Sequence, residues 1–157
     1  MKIGFASDHR GYDLKNKLID FLGEEYEIED CGTFSEESTD YPDYAFKLGE
    51  SVANKDVDFG VAICGSGIGI SIACNKVKGI RCAKVDSVED VIATRNDNDA
   101  NIIAFGEKMS FDKAKELVTT FINTKNSTDE KHIRRINKIK EYEENNWWHL
   151  NLYYILR

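Results

Sequence analysis

The chain has few of the features that mark membrane, secreted or nucleic-acid-binding proteins. Its 157 residues include a single proline, and acidic residues outnumber basic ones 28 to 21. No apolar run approaches the length of a transmembrane helix, and the N-terminal MKIGFASDH has no signal-peptide pattern. The net charge of −7 disfavours nucleic acid as a partner, because a polyanion needs a dominant basic surface. We therefore expect a soluble, cytoplasmic protein without a membrane partner, in which any anion-binding site is local.

The cysteines also lack the spacing of a metal site or a disulfide framework. The four of them, Cys31, Cys64, Cys74 and Cys82, lie far apart and form no CxxC pair. A zinc site or a disulfide-stapled domain would show paired spacings, so neither is expected. We predict reduced thiols, most of them in the core, and no bound metal. The chain length suits one compact domain rather than two.

What the chain does have is a regular alternation of apolar runs and helix-period stretches. Such alternation is typical of repeated β–α units. The pattern predicts strands at residues 2–7, 26–31, 58–64, 79–85 and 101–106, with helices at 14–22, 44–52, 70–76, 87–96 and 111–122. Ser87 and Asp90 predict a capped start for the fourth helix. We predict an α/β fold, a three-layer doubly wound (Rossmann-like) five-stranded parallel sheet with a C-terminal helix, whose ligands bind beyond the carboxyl ends of the strands.

After about residue 125 the pattern changes to that of a basic helix. Ser127 and Glu130 form a helix-start signal, and four cations then share one face: Lys131, Arg134, Arg135 and Lys138. This face is either a solvated surface of a docking helix or a source of cations for an anionic ligand. We predict one domain over residues 1–144, including this basic helix at 128–144, followed by an aromatic tail at 145–157 to which we assign no role.

The hexapeptide CGSGIG, residues 64–69, lies between the third strand and the next helix, where unpaired backbone N–H groups favour an anion. Its glycines, Gly65, Gly67 and Gly69, have the wrong spacing and position for a dinucleotide fingerprint. A Walker loop would need Gly-Lys-Ser/Thr, and a cysteine phosphatase loop would need an arginine at position 70, where Ile70 stands. Phosphoryl transfer is therefore disfavoured.

A cysteine surrounded by amide donors has two interpretations. Such a setting favours the thiolate, which can act as a nucleophile or as a general base. If Cys64 removes a proton next to a carbonyl, the neighbouring N–H groups would stabilise the resulting enediolate. The alternative is a buried cysteine beside a purely structural glycine turn.

Three polar segments bear on this choice. Asp8 and His9 follow the first strand, and TDYPDYA (39–45) follows the second, so both should lie at the same sheet edge as Cys64. RNDNDAN (95–101) precedes the fifth strand and should lie at the opposite edge. Its residues could join a site with Cys64 only across a subunit interface.

Taken together, the motifs resemble a known family. SDHRG, DCGT, TDYPDYA, ICGSGIGISIACNKVKGIRCA, NDANIIAFG and KHIRRINKI are similar, in order and spacing, to the type B ribose-5-phosphate isomerases and the related galactose-6-phosphate isomerase subunits. The resemblance spans residues 1–144. It implies an aldose–ketose isomerase of the pentose phosphate pathway that needs neither metal nor cofactor, acts on a phosphorylated sugar, and works as a homodimer or dimer of dimers with composite active sites.

The resemblance also implies residue roles at the reacting end of the sugar. Cys64 would be the base that moves the proton between C1 and C2. Ser66 and the amides of Gly65, Gly67 and Gly69 would hold the enediolate. Further sugar contacts would come from Asp8, from Tyr41 in the pocket wall and from Asn98 of the partner subunit. Four groups would bind the phosphate: His9, Lys108, Lys131 and Arg135.

Three departures from the family pattern limit this transfer, and one of them is the tail after about residue 145, which lies outside the resemblance. Asp97 stands where the family usually has a histidine that opens the sugar ring, and an ordinary aspartate is a poor proton donor at neutral pH. Lys108 and Lys131 stand where arginines are common, and lysine lacks their bidentate geometry. We expect ribose 5-phosphate and ribulose 5-phosphate as substrates. The alternatives are an isomerase of a six-carbon phosphosugar, allose or galactose 6-phosphate, and a non-catalytic phosphosugar-binding module.

Overall fold

The computed structural model of the protein describes the backbone of residues 1–155 and the side chains of residues 1–146. The described chain forms a five-stranded sheet and six helices. The strands are β1 (Lys2–Ser7), β2 (Glu27–Asp30), β3 (Phe59–Cys64), β4 (Cys82–Lys84) and β5 (Ile102–Gly106). The helices are α1 (Tyr12–Leu22), α2 (Tyr41–Ala53), α3 (Ile68–Cys74), α4 (Val88–Asn98), α5 (Phe111–Asn123) and α6 (Glu130–Ile155).

All strand pairs are parallel, and the strand order is β2-β1-β3-β5-β4. Helices α1, α4 and α5 cover one face of the sheet, and α2 and α3 cover the other. The predicted doubly wound fold is confirmed. The order of the strands reverses direction between β1 and β3, and ligands of such folds bind at the carboxyl ends of the strands at that switch point. Asp8 and Cys64 stand there.

The central strands are apolar on both faces because helices cover both faces. Phe5, Ile63 and Phe105 are fully buried against α1 and α5, and Ala62 and Ile102 are fully buried against α2 and α3. This two-sided burial holds the ends of β1, β3 and β5 in fixed register, so the side chains that follow these strands start from a rigid platform.

Several element bounds differ from those that the sequence predicts. Helix α2 begins at Tyr41 rather than at residue 44, because Pro42 occupies its first turn, where a missing N–H has no cost. Strand β4 begins at Cys82 rather than at residue 79, since the Arg81 N–H donates to the side chain of Asn101, 2.8 Å away. Helix α4 continues past residue 96 to Asn98 and ends at Asp99, whose φ of 46° is left-handed. The predicted capping box at its start is present.

The C-terminal helix also differs from its prediction. Helix α6 begins at Glu130, and the residue that caps it is Asp129, whose carboxylate accepts the Lys131 N–H at 3.0 Å. The helix extends past residue 144 to Ile155. The division into a domain at 1–144 and a tail at 145–157 remains a prediction, and the side chains from residue 147 onward lie outside the described residues. No helix in the described part of the chain is long and apolar enough to cross a membrane.

A buried cation, which the hydrophobic pattern does not reveal, joins α1 to the sheet. The Lys15 side chain has no exposed surface, and its ammonium donates to both carboxylate oxygens of Asp30, at 2.6 and 2.5 Å. The rings of Tyr12 and Phe34 lie 5.7 Å from the same nitrogen. A buried ammonium is tolerated only when it is paired, so this contact fixes the end of β2 against α1.

We predict that Asp30→Asn destabilises the protein by about 3 kcal/mol, because it leaves the Lys15 ammonium buried without a counter-charge. Urea unfolding of both proteins measures the difference. The matched control is Asp13→Asn, which removes the partner of Lys17 in a pair that is mostly exposed to solvent, and which should change stability little. Equal losses in the two variants would show that the Lys15 pair is no more important than a surface pair.

Candidate functional site

The loop between β3 and α3 is shaped by a close backbone approach. Gly67 has a φ of 78°, and a Cβ placed on it would lie 2.6 Å from the carbonyl carbon of Phe105 in β5. Only glycine fits both the left-handed conformation and this contact. The resulting turn points the Gly67 N–H at the Cys64 sulfur, 3.2 Å away. An amide donor beside the sulfur is the setting that the sequence predicts for Cys64.

Cys64 itself lies at the bottom of this loop. It is 4% exposed, whereas Ser66 and Ile68 above it are exposed. The Ser66 hydroxyl accepts the Ile68 N–H at 3.2 Å, so the serine is fixed within the loop. Two of the loop amides are thus already used, by the sulfur and by the serine. The Gly67 N–H is the one directed at the thiol, and these two amides are not free to bind an anion.

Asp8 lies at the end of β1, next to β3. It is 6% exposed, and its Oδ1 accepts the N–H groups of Arg10 and Gly11 at 3.0 and 3.1 Å. The Asp8 N–H donates to the Ile63 carbonyl, which ties this turn to the residue before Cys64. One carboxylate oxygen therefore shapes the chain before α1.

His9 and Tyr41 lie at the same edge of the sheet, on two other segments. The Nδ1 of His9 lies 3.2 Å from the Thr39 nitrogen and 3.3 Å from the Thr39 carbonyl oxygen, so the imidazole is held against Thr39. Tyr41, at the start of α2, lies against Gly69: a Cβ there would be 2.8 Å from the Tyr41 ring. The structure thus brings Asp8, Tyr41 and the glycine loop together around Cys64.

Lys108 completes the group at the carboxyl edge. It follows β5 by two residues and is exposed, and β5 is the strand beside β3. Sequence reasoning missed its neighbour Glu107, whose carboxylate accepts a hydrogen bond from the guanidinium of Arg10. This ion pair joins residues 97 positions apart in the chain, and no local sequence pattern reveals such a pair.

The remaining predicted site residues lie elsewhere on the molecule. Asp97 and Asn98 end α4, and they precede β5 at the amino edge of the sheet. Cys64 pairs in register with Gly106, whereas Ile102 pairs with Gly60. Four residues of strand separate those two levels, which is about 13 Å. Asp97 and Asn98 are therefore distant from the Cys64 of their own chain, as the sequence predicts.

Helix α6 places its cations beside that second group. α6 packs on α4, and Lys131 and Arg135 in its first two turns are both exposed. The His132 imidazole Nε2 lies 3.5 Å from the Asp97 carboxylate. Asn98 lines a cavity of about 330 Å³ beneath the same helix. The candidate residues thus form two separate groups: the carboxyl-edge group around Cys64, and an α4–α6 group of Asp97, Asn98, Lys131 and Arg135.

The other cysteines differ from Cys64 in their surroundings. Burial, reinforced by the charge of Glu29, raises the pKa of Cys31 to about 12. A hydrogen bond with Cys74, together with burial, raises the pKa of Cys82 well above its ordinary value. Neither thiol is suited to ionise near neutral pH. Cys64 and Cys74 are buried, whereas Cys31 and Cys82 are half-buried, so two of the four cysteines lie in the core rather than most of them.

Comparison with known proteins identifies the family. The profile described as ribose/galactose isomerase matches residues 3–139. This chain belongs to the ribose/galactose isomerase family. Within the family it is 44% identical, over 153 residues, to a putative sugar phosphate isomerase of Bacillus subtilis, covering 93% of this chain and 99% of that one. It is 38% identical to ribose-5-phosphate isomerase B of Escherichia coli over 145 residues, covering 91% and 97%.

Solved structures of the family share the fold. The ribose-5-phosphate isomerase B of Clostridium thermocellum superposes with a TM-score of 0.88 at 44% identity, covering 92% of this chain and 99% of that one. The type B enzyme of Trypanosoma cruzi gives a TM-score of 0.88 at 39% identity, covering 93% and 100%. A Mycoplasma genitalium structure with bound ribulose 5-phosphate gives 0.84 at 34% identity, covering 91% and 96%. The resemblance seen in the sequence motifs is confirmed.

We predict that Gly67→Ala abolishes most activity and lowers stability, because the added methyl group collides with the backbone of β5 and turns the loop amide away from Cys64. Gly79→Ala is the matched control: its φ of 85° is equally left-handed, but a Cβ there meets nothing within 4 Å. Gly79→Ala should lower the free energy of unfolding only by the conformational strain, about 1–2 kcal/mol. Thermal melting and isomerase assays compare the two variants. Equal effects would mean that the approach to β5 has no special role.

Proposed function

We propose that this chain interconverts ribose 5-phosphate and ribulose 5-phosphate through a cis-enediolate, with Cys64 as the general base. The observation that carries the proposal is the position of the Cys64 sulfur, at the switch point of the sheet and 3.2 Å from the Gly67 N–H. The relatives add the substrate class: the Escherichia coli protein is a ribose-5-phosphate isomerase B, and the Mycoplasma genitalium structure holds ribulose 5-phosphate.

The reaction needs one base and a set of donors. The Cys64 thiolate takes the C2 proton of the open aldose, and the electron pair moves through the new C1–C2 double bond onto O1. Loop amides other than those of Gly67 and Ile68, together with the Ser66 hydroxyl, stabilise the resulting oxyanion. The same sulfur then returns the proton to C1, while the O2 proton moves to O1 and leaves the C2 carbonyl of the ketose. Asp8, whose Oδ1 is held by backbone amides, presents its second oxygen to the sugar hydroxyls.

Phosphate binding would take cations from both groups, each of which is then a half-site. At the carboxyl edge, the imidazole of His9 and the ammonium of Lys108 are the donors, and Lys131 and Arg135 lie on the α4–α6 group. A dianion bound to an acidic protein needs several converging positive groups. Binding at the phosphate end holds the sugar so that C1 and C2 meet Cys64.

We propose further that two copies of the chain share each site. One copy contributes the carboxyl-edge group, and the α4–α6 group comes from its partner, since the two lie at opposite edges within one chain. Exposed apolar side chains flank both groups: Ile68 and Ile72 on α3 are each 55% exposed, and Ile133 and Ile139 on α6 are 44% and 46% exposed. Contact between these surfaces would bury them and close Cys64 from water. A dimer or a dimer of dimers both satisfy this arrangement.

The proposal also has to account for the opening of the sugar ring. Asp97 is exposed and lies beside His132, so an imidazole is present next to the position from which the family histidine acts.

One additional carbon changes the depth of the pocket rather than the chemistry, which keeps allose and galactose 6-phosphates as alternatives. The enzyme is expected to act in the cytoplasm, where its phosphorylated substrates are made.

Removal of the base gives the most direct test. We predict that Cys64→Ala loses at least about a thousandfold in exchange of the transferred hydrogen with deuterated water, because general-base catalysis contributes on this scale. NMR of ribulose 5-phosphate in D2O measures the exchange without any ring-opening step. Cys31→Ala is the matched control and should retain exchange.

Other outcomes decide between the alternatives. Exchange that persists in Cys64→Ala would contradict the assignment of the base. Binding of the phosphosugar without exchange in the unsubstituted protein would indicate a non-catalytic module. A higher kcat/KM for six-carbon than for five-carbon phosphates would shift the substrate to allose or galactose 6-phosphate.

Mixing two inactive variants tests the shared site. Cys64→Ala and Asn98→Ala each damage a different half-site, so a mixed dimer holds one intact site and one doubly damaged site. We predict that dissociation and reassociation of an equal mixture restores about one quarter of the original activity, as random pairing in a two-fold dimer requires.

The control for this experiment mixes Cys64→Ala with Ser66→Ala, both on the carboxyl-edge group. These variants cannot complement each other if the carboxyl-edge group acts as one unit. Failure of the first mixture to regain activity, with mixed dimers shown by mass spectrometry, would place both groups of each site in the same chain.

A further inference from the structure

An ion pair crosses the end of the strand that carries Cys64. Arg10 follows β1 and Glu107 follows β5, and these are the two strands that flank β3 in the sheet. The guanidinium of Arg10 donates to the Glu107 carboxylate, so the pair bridges the carboxyl end of β3. Neither side chain has a role in the chemistry described above.

The pair is held in place from both ends by the site itself. The Arg10 N–H donates to Asp8 Oδ1 at 3.0 Å. The Glu107 N–H donates to the Cys64 carbonyl at 2.9 Å. Arg10 is therefore anchored to one proposed site residue, and its partner is anchored to the backbone of another.

The guanidinium lies directly on the glycine loop. A Cβ placed on Gly65 would be 3.3 Å from Cδ, Nε and Cζ of Arg10, so this side chain packs against the peptide that follows Cys64. The missing side chain at position 65 is what allows this approach. The Arg10 side chain is 53% exposed and Glu107 21% exposed, so water screens the pair only in part.

We propose that Arg10 is a positioning residue that favours the thiolate of Cys64 and shapes the loop over it. The proposal rests on the role of Cys64 as base. A permanent positive charge held on the loop beside a cysteine stabilises its thiolate relative to the thiol. Glu107 keeps the guanidinium over the loop, whereas an unheld arginine would extend into solvent.

The charges around Arg10 agree with its placement beside Glu107 and the loop. The hydrogen bond to Glu107 and its charge raise the pKa of Arg10, with smaller contributions from Asp8 and Cys64. The titratable and charged groups on the elements around the sulfur include Asp8, His9 and Arg10 after β1, Glu107 and Lys108 after β5, Tyr41, Asp43, Tyr44, Lys47 and Glu50 on α2, and Cys74 at the far end of α3.

The test measures the thiolate directly. Absorbance near 240 nm follows thiolate formation with pH, and subtraction of the same titration in Cys64→Ser proteins isolates the signal of Cys64. We expect Arg10→Ala to raise the midpoint of this titration by about half a unit to one unit. The shift should shrink in 1 M salt, because the Debye length falls to about 3 Å. Arg10→Lys should restore more than half of it.

Kinetics supplies the second readout. In Arg10→Ala, kcat/KM for ribose 5-phosphate at pH 7 should fall about three- to tenfold, and the loss should disappear as the pH rises past the new midpoint. Lys113→Ala removes an exposed cation from α5 and is the matched control, expected to change neither readout. A merely structural role for Arg10 would give a loss that does not depend on pH.

The failures of the two proposals can be told apart. An unchanged midpoint in Arg10→Ala overturns the role of Arg10, and a rise in KM at that unchanged midpoint would make Arg10 a substrate contact instead. If Cys64 is not the base, deuterium exchange persists in Cys64→Ala, and the absorbance titration still reports whether Arg10 acts on the thiol.

Discussion

The close contact between Gly67 and the backbone of β5 is the constraint on which the rest of the site depends. It turns the chain from β3 into α3 within a few residues, and it does so only because position 67 has no side chain and adopts a φ of 78°. The same turn directs an amide at the Cys64 sulfur and leaves room at Gly65 for a guanidinium. A rigid sheet supports the contact, since β3 and β5 pair along their whole length.

The fold could be predicted because its signals are local. Apolar runs and helix-period stretches alternate, so the strands and most helices follow from periodicity. Where a predicted helix or strand end was wrong, the cause is also local. Pro42 lies in the first turn of α2, and the Asn101 side chain accepts the Arg81 N–H before β4 begins. Periodicity cannot predict which charged side chains are buried. Lys15 reads as one more polar residue of α1, and only the folded chain shows its contact with Asp30.

The candidate site, too, could be predicted only in part. Motif resemblance points to the residues that follow β1 and β3, and the strand order then brings Asp8, Tyr41 and Cys64 to one edge. Arg10 and Glu107 were missed because an ion pair between residues 97 positions apart has no signature in either segment. The opposite-edge placement of Asp97 and Asn98 follows from topology alone, since a helix that leads into a parallel strand must end at the strand's amino edge.

An acidic protein that binds a phosphorylated sugar has to concentrate its positive charge without lowering the stability of the monomer. The proposed sharing of sites between two chains would achieve this, because Lys108 and the pair Lys131 and Arg135 stay apart in one chain and would converge only on association. The bound dianion then offsets their mutual repulsion. The role proposed for Arg10 also limits the effect of a positive charge on the rest of the protein. Glu107 neutralises the guanidinium at long range, whereas the nearby loop around Cys64 would still experience its charge. The proposed sharing of each site and the proposed role of the Arg10–Glu107 pair are thus two solutions to one electrostatic problem.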